Sequence, residues 1–394
     1  MSDRTVPRDD DPRVAPPRPP LPPEQPARTA VARGRGVLPA ALIGGILGAA
    51  LAVGALFAID ALPSHETFTA STSTTLPSVA PAQASSPSTA VATIAAKAIP
   101  SIVTVEVGDG NGLTDRASAS GSGVVYTANG LILTNNHVVE GAGFVRIVLS
   151  DGRIYQATVV GADPVTDLAV ISIDASDLTP LQLANPSSYQ IGDLAIAIGN
   201  PLGLYGGPSV TSGIISAFNR ELEVTASERL FGLLQTDAPI TRGSSGGALL
   251  DANGRLIGIT TAIGLSDVGA EGLGFAVPVS IVQGVANDLI RDGVVRHAFI
   301  GVQVEPAFEN IGGAQVPEGA RILSFEGDTG IQDTGAEVGD IITAIDGISV
   351  IGVRDLIALL RTHRAGQTVT LSLLRDGNPI ELDAVLGQRP PDQP

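Results

Sequence analysis

A mainly β chain, preceded by one transmembrane helix and closed by a small α+β unit, is the fold class the sequence predicts. Three observations carry it. An uncharged, mostly apolar run at residues 37–59 is long enough to cross a bilayer. Short β-type runs separated by Gly, Asn and Asp fill residues 92–279. Near residue 280 the apolar spacing changes to a helical period, and a mixed segment follows over 298–388.

Composition limits the chemistry. The 394 residues include 47 Gly and 28 Pro but no Trp, and aromatics are only 3%, which suits strands, turns and linkers more than a helical bundle. There is no Cys, which excludes disulfides, thiolate metal sites and a Cys nucleophile. The net charge is −17. Residues 1–59 hold seven Arg and five acids, so 16 basic and 35 acidic residues remain beyond them. A body this acidic repels nucleic acid.

In chain order, residues 1–36 are rich in Pro and Arg, including the run Pro16-Pro17-Arg18-Pro19-Pro20, and read as a disordered or polyproline tail. As a helix, residues 37–59 would span about 34 Å, against a hydrocarbon core of about 30 Å. A cleaved signal peptide would have a shorter apolar core, so anchoring is the expectation. Arg28, Arg33 and Arg35 precede the run while Asp60 and Glu66 follow it, which places the N-terminus in the cytoplasm and the rest outside. The Ser-, Thr- and Pro-rich stretch 60–91 reads as an extended tether.

Within 92–279, Ser101–Val105, Val145–Leu149 and Leu194–Ile198 are strand-like, and Asp151-Gly152 and Asn253-Gly254 are hairpin-turn signals. Many short strands over this length suit a barrel or a sandwich. Ile281, Val282, Val285, Leu289 and Ile290 form a helical stripe in the linker 280–297, with Ser280 as N-cap and Gly293 as stop. The unit 298–388 should contain a helix from Val353 to Arg364 and a hairpin at Asp376-Gly377, leaving 389–394 as a tail.

Candidate chemistry rests on three places. Gly243-Ser244-Ser245-Gly246-Gly247 lies between apolar runs. A nucleophilic Ser needs small neighbours and backbone N–H groups aimed at a developing oxyanion, although this fragment alone also resembles any flexible loop. His137 closes a strand-like run, where a structural role competes with a catalytic one, and Asp167 opens an apolar strand, where a carboxylate could orient an imidazole. Asp163, beside Pro164, reads as a turn cap. The other histidines are poorer bases: His65 in the tether, His297 in the linker and His363 at a helix end. With no Cys and scattered His, no metal is expected, and no phosphate-binding Gly-rich loop occurs.

Taken together, TNNHVV around His137, DLAVI from Asp167, GNPLG at 199–203, QTDAPITRGSSGGALLD at 235–251 and GLGFAVP at 272–278 resemble the HtrA/Deg family of serine proteases. The resemblance covers roughly 92–388, where 298–388 looks like a PDZ domain. It implies a chymotrypsin-like double β-barrel with its site in the cleft between barrels. Ser245 would be the nucleophile, His137 the base, Asp167 its orienting partner, and the N–H groups of Gly243 and Ser245 the oxyanion hole. It implies no cofactor and polypeptide substrates. The pocket for the residue before the cut would be walled by the turn before Ser245 and by Gly272–Ala276, and no acid stands there except Glu271, so small or medium apolar residues are expected in it. The loop Phe299-Ile300-Gly301-Val302 would take peptide C-termini by strand addition. A homotrimer is also implied. Arg242 and Ser244 depart from the family's usual turn, and 324–336 departs from the common PDZ pattern, leaving peptide affinity there open. A membrane-tethered scaffold that no longer cuts is the rival from another class.

Overall fold

The computed structural model describes residues 87–390 apart from 111, 113–115, 201–206, 226–227, 262–272 and 328–329. The expected tail, membrane span and most of the tether lie outside the described residues, as do Pro201, Leu202, Gly203, Glu271 and Gly272. Among the described residues, no helix is long and apolar enough to cross a membrane.

A helix, Pro87–Ala98, opens the described chain and seats Ile94, Ala95 and Ala98 in the core. Five residues of the expected tether are therefore helical, and an apolar stripe this short is easily overlooked among Ser, Thr and Ala.

Twelve strands follow as two closed six-stranded barrels, so the barrel alternative holds over the sandwich. The first uses β1 (Ile102–Gly108), β2 (Ala119–Val125), β3 (Leu131–Thr134), β4 (Phe144–Val148), β5 (Ile154–Asp163) and β6 (Leu168–Ile173). The second uses β7 (Leu194–Gly199), β8 (Ser209–Thr225), β9 (Glu228–Thr236), β10 (Ala248–Leu250), β11 (Leu256–Thr261) and β12 (Gly274–Pro278). Successive side chains of a strand face opposite ways. On β7, Ala195 and Ala197 fill the barrel, while Ile196 and Ile198 join the core outside it. On β6, Ala169 and Ile171 turn inward and Leu168 and Val170 outward. Both faces are buried, which is why these strands read as unbroken apolar runs. Alanine at inward positions also explains how barrels close with so few aromatics.

The helix Val279–Asp292 leaves β12 directly and packs Ile281, Val282, Val285 and Leu289 against the outer core. Gly293 ends it at φ +74, as expected. Two details differ. Pro278 occupies the N-cap, because the strand runs straight into the helix and Ser280 falls inside the first turn. Ile290, 37% exposed, lies off the buried stripe.

The last unit is a sheet ordered β14 (Val302–Ile311), β15 (Ala314–Phe325), β16 (Ile341–Ile345), β18 (Thr368–Arg375) and β19 (Asn378–Val385), with β17 (Ile348–Ser349) beside β16. A separate pair joins β13 (Ala298–Phe299) to β20 (Gly387–Gln388). The helix Val353–Thr362 supplies Leu356 and Leu359 to this unit's own core. The Gly339-Asp340 turn is fixed by a nearly inaccessible carboxylate that accepts from Arg375 Nε at 2.8 Å and Nη2 at 2.7 Å.

Candidate active site

The first barrel places a His and an Asp at its rim. Strand β3 ends at Thr134, and a single helical turn, Asn136–Val139, carries His137 past the strand end. Asp167 precedes β6 with φ +56, a left-handed conformation in which a non-glycine residue is held by its surroundings. The constraint is visible: its carbonyl accepts from Asn135 Nδ2 at 2.8 Å and from the Asn136 N–H at 3.2 Å. These bonds turn the side chain toward His137. Its carboxylate accepts from the His137 N–H at 3.0 Å and meets His137 Nδ1 at 2.8–2.9 Å. Thr261 Oγ1, at the end of β11, adds a third donor at 3.1 Å. An ionised carboxylate only accepts, so Nδ1 carries the proton and Nε2 is left with its lone pair. The Asp167 side chain is 4% exposed while that of His137 is 36% exposed, so an anchored carboxylate presents an accessible base.

The second barrel supplies the alcohol. Thr241 O accepts from the Ser244 N–H at 2.9 Å, and Gly243 has φ +88, which together make a type II turn. That turn needs glycine at its third position. It also rotates the Arg242–Gly243 amide so that the Gly243 N–H donates to no acceptor among the described residues. Three carbonyls around it are tied down. Ser122 Oγ donates to Gly243 O at 2.7 Å, Thr260 Oγ1 to Ser244 O at 2.6 Å, and the Ser122 N–H to Ser245 O at 2.7 Å. Gly246 lies so close to β2 that a Cβ would stand 2.1 Å from Ser122 O. GSSGG is thus a clamped turn wedged between barrels, not a flexible loop. Arg242 is exposed.

His137, Asp167, Gly243 and Ser245 line one cleft of about 580 Å³, together with Arg242. An alcohol, an imidazole with a free lone pair and a buried carboxylate share that space, a set able to activate a hydroxyl by proton transfer.

A second cavity, about 340 Å³, lies between β14 and the helix Val353–Thr362 and is lined by Phe299, Ile300, Val302, Leu356, Ile357 and Leu360 among others. Gly301, φ +80, makes the bend before β14, and its carbonyl accepts from the Glu326 N–H at 2.8 Å. So three of the four expected loop residues face the groove and the glycine shapes it.

Sequence reasoning missed several partners. Ser122, Thr260 and Thr261 stand in no recognisable pattern and act only because distant strands meet. Asp163 is not a plain turn cap: it is 4% exposed and accepts from His297 Nε2 at 2.8 Å and from Thr166 Oγ1. Burial would raise its pKa, but the His297 hydrogen bond and charge, with the bond from Thr166, hold it below the ordinary carboxylate value. His297, expected in an open linker, is 7% exposed. Nearby, Arg364 Nε meets Asp288 Oδ2 at 2.5 Å, and its Nη2 would stand 2.2 Å from a Cβ at Gly284. The linker helix therefore carries a recess for an arginine of the last unit.

The sequence profile of the trypsin-like peptidase domain matches residues 121–259, and that of the PDZ domain matches residues 298–386. Periplasmic serine endoprotease DegP of Escherichia coli (strain K12) is 37% identical over 291 residues, covering 73% of this chain and 60% of DegP. Serine protease PepD of Mycobacterium tuberculosis is 35% identical over 349 residues, covering 83% of this chain and 71% of PepD. The solved structure of the HtrA-type protease AlgW with tripeptide aligns at a TM-score of 0.60 and 36% identity, covering 76% of this chain and 98% of that one. The match spans about 60% of the length of the DegP relatives.

Proposed function

The chain belongs to the HtrA/Deg family of trypsin-like, PDZ-containing serine proteases, and from that premise we propose a membrane-anchored endopeptidase that cuts misfolded or exported polypeptides. One observation carries the reading: Asp167 grips both the Nδ1 and the backbone N–H of His137 at a cleft that Ser245 also lines. In this mechanism Ser245 Oγ attacks the scissile carbonyl while His137 Nε2 takes its proton. The imidazolium formed is stabilised by Asp167 and later protonates the leaving amine. The N–H groups of Gly243 and Ser245 receive the oxyanion, and the unengaged N–H of Gly243 supports that role. The absence of a fixed acid in the described turn before Ser245 favours small or medium apolar residues before the cut.

The groove beside Ile300 and Val302 takes peptide C-termini by strand addition for substrate selection or activation. Residues 37–59 anchor the chain with its N-terminus cytoplasmic and both domains outside, a side supported by relatives described as periplasmic. A homotrimer is the proposed assembly.

Labelling of the full chain with a fluorophosphonate tests the activity, since the probe reacts with an activated serine. The expectation is labelling of wild type that vanishes in Ser245→Ala. No labelling of wild type, even with a groove-binding peptide present, would instead indicate a scaffold that has lost catalysis. Retention in the membrane fraction after alkaline carbonate washing, lost on deleting residues 37–59, tests the anchor.

A further inference from the structure

Three buried ionisable side chains that the mechanism does not use meet at one point. Asp163, His297 and Arg361 are 4%, 7% and 6% exposed. Asp163 ends β5 of the first barrel, whereas His297 closes the linker and Arg361 belongs to the helix of the last unit. His297 Nε2 donates to Asp163 Oδ1 at 2.8 Å, and Arg361 and Arg389 both lie close enough to be attracted by the same carboxylate. Buried charge persists where it is paired, so this acid is held by groups from outside the barrels. The imidazole is itself pinned through its backbone. His297 O accepts from the Arg389 N–H at 2.9 Å, His297 forms an isolated β-bridge with Arg364, and β13 begins at the next residue.

What Asp163 holds in turn is the segment that carries the catalytic carboxylate. One short turn, 164–166, separates Asp163 from Asp167. Within it Asp163 accepts from the Val165 N–H and from Thr166 Oγ1, and Thr166 is 5% exposed. The next residue, Asp167, has φ +56. A non-glycine residue keeps that conformation only where its flanks are fixed. On the far flank, Asn135 and Asn136 hold the Asp167 carbonyl. On the near flank stands Thr166, held by Asp163, whose outer support is His297. Two hydrogen bonds thus connect the end of the linker to the residue that precedes Asp167.

We propose that His297 is a positioning residue for the peptidase reaction: through Asp163 and Thr166 it fixes the backbone from which Asp167 reaches His137. It touches neither substrate nor the reacting atoms, and it acts only by holding the turn. The proposal rests on the reading of His137, Asp167 and Ser245 as the catalytic set. It predicts that turnover depends on a side chain lying outside both barrels, while substrate binding at the cleft does not.

The test uses the full chain and a fluorogenic peptide. His297→Leu removes the donor at similar volume, and His297→Gln returns an amide N–H near the place of Nε2. His297→Leu should lower kcat by about 10- to 100-fold with KM little changed, since a small misplacement of a catalytic group has effects of that order. Fluorophosphonate labelling, which needs the activated serine but no peptide, should slow by the same factor. His297→Gln should recover most of both rates. In a Thr166→Val background, where the side-chain bond to Asp163 is gone, His297→Leu should lower kcat by less than about threefold, because the two changes break one chain of contacts. Wild-type kcat in His297→Leu overturns the proposal, as does a raised KM at unchanged kcat. Losses that simply multiply in the double variant also overturn it, because His297 would then act by another route. A lowered melting temperature with no recovery in His297→Gln would make His297 structural and overturn it too. Should His297→Leu not fold, Thr166→Val alone decides: about a tenfold loss of kcat with KM unmoved is expected, and wild-type kcat overturns the proposal. If wild type neither cuts peptide nor takes the label, the catalytic reading fails and the proposal falls with it.

Discussion

Asp167 at the catalytic cleft and Arg361 at the end of the peptide groove are both charged and both nearly inaccessible, at 3% and 6% exposure. Their surroundings differ. The Asp167 carboxylate has three donors, and its carbonyl is held by two more, so its geometry is set before any substrate arrives. Arg361 Nε donates to nothing, and the acid nearby is occupied by other partners. The contrast teaches what each region requires. Catalysis gains from polar groups that need no reorganisation when charge develops, so the cleft is fully partnered. The end of the groove has no such set of donors and acceptors around its buried arginine.

Substitutions should separate the two regions, beginning with the largest effect. Ser245→Ala should lower peptidase turnover by about six orders of magnitude, read with a fluorogenic peptide, because the remaining groups cannot replace the nucleophile. Gly243→Ala forces a Cβ into φ +88 and disturbs the amide proposed to hold the oxyanion. A loss of about 100- to 1,000-fold in kcat is expected, while thermal unfolding shifts far less.

Thr261→Val removes one donor from Asp167 and leaves two, which should cost roughly tenfold in kcat/KM with KM little changed. If kcat/KM stays at the wild-type value, the full partnering of the cleft is not what organises it.

Asp163→Asn addresses pH. A carboxylate whose folded pKa is depressed contributes stability that is present above its unfolded pKa, near 4, and is lost as pH falls through the lower folded value. The variant should therefore be less stable than wild type at pH 7, by about 1–3 kcal/mol in urea titrations, and the gap should close in acid below pH 4. A gap that instead widens in acid would contradict the sign. The smallest effect, and the one of opposite direction, is expected at the groove. Arg361→Met should leave thermal stability of the peptide-free protein equal or slightly raised, since it removes a buried charge whose Nε makes no hydrogen bond. A fall of several degrees would erase the comparison.

Much of the local structure was legible beforehand. The turns at Asp151-Gly152, Asn253-Gly254 and Asp376-Gly377 stand between paired strands, as short-range backbone chemistry predicts. The stop at Gly293 is likewise a one-residue requirement for a left-handed conformation. Four places were not legible. Ser280 and Ile290 were misplaced because a strand running directly into a helix shifts both cap and stripe. Asp163 and His297 pair across 134 positions, and the Ser122 to Gly243 bond spans 121. No periodicity reports contacts at such distances.

Residue order alone therefore determined the repertoire: which side chains could do acid–base work, where strands turn, and the absence of thiol chemistry. Those features depend on a few neighbouring residues and on intrinsic backbone preference. Tertiary structure decided which polar groups are satisfied. Packing of the two barrels against each other brings Thr261 to Asp167 and Ser122 to the nucleophile's turn, and packing of the last unit against the linker buries His297 and Arg361. Burial and partnering arise from convergence of distant segments, and they convert a residue type into a role.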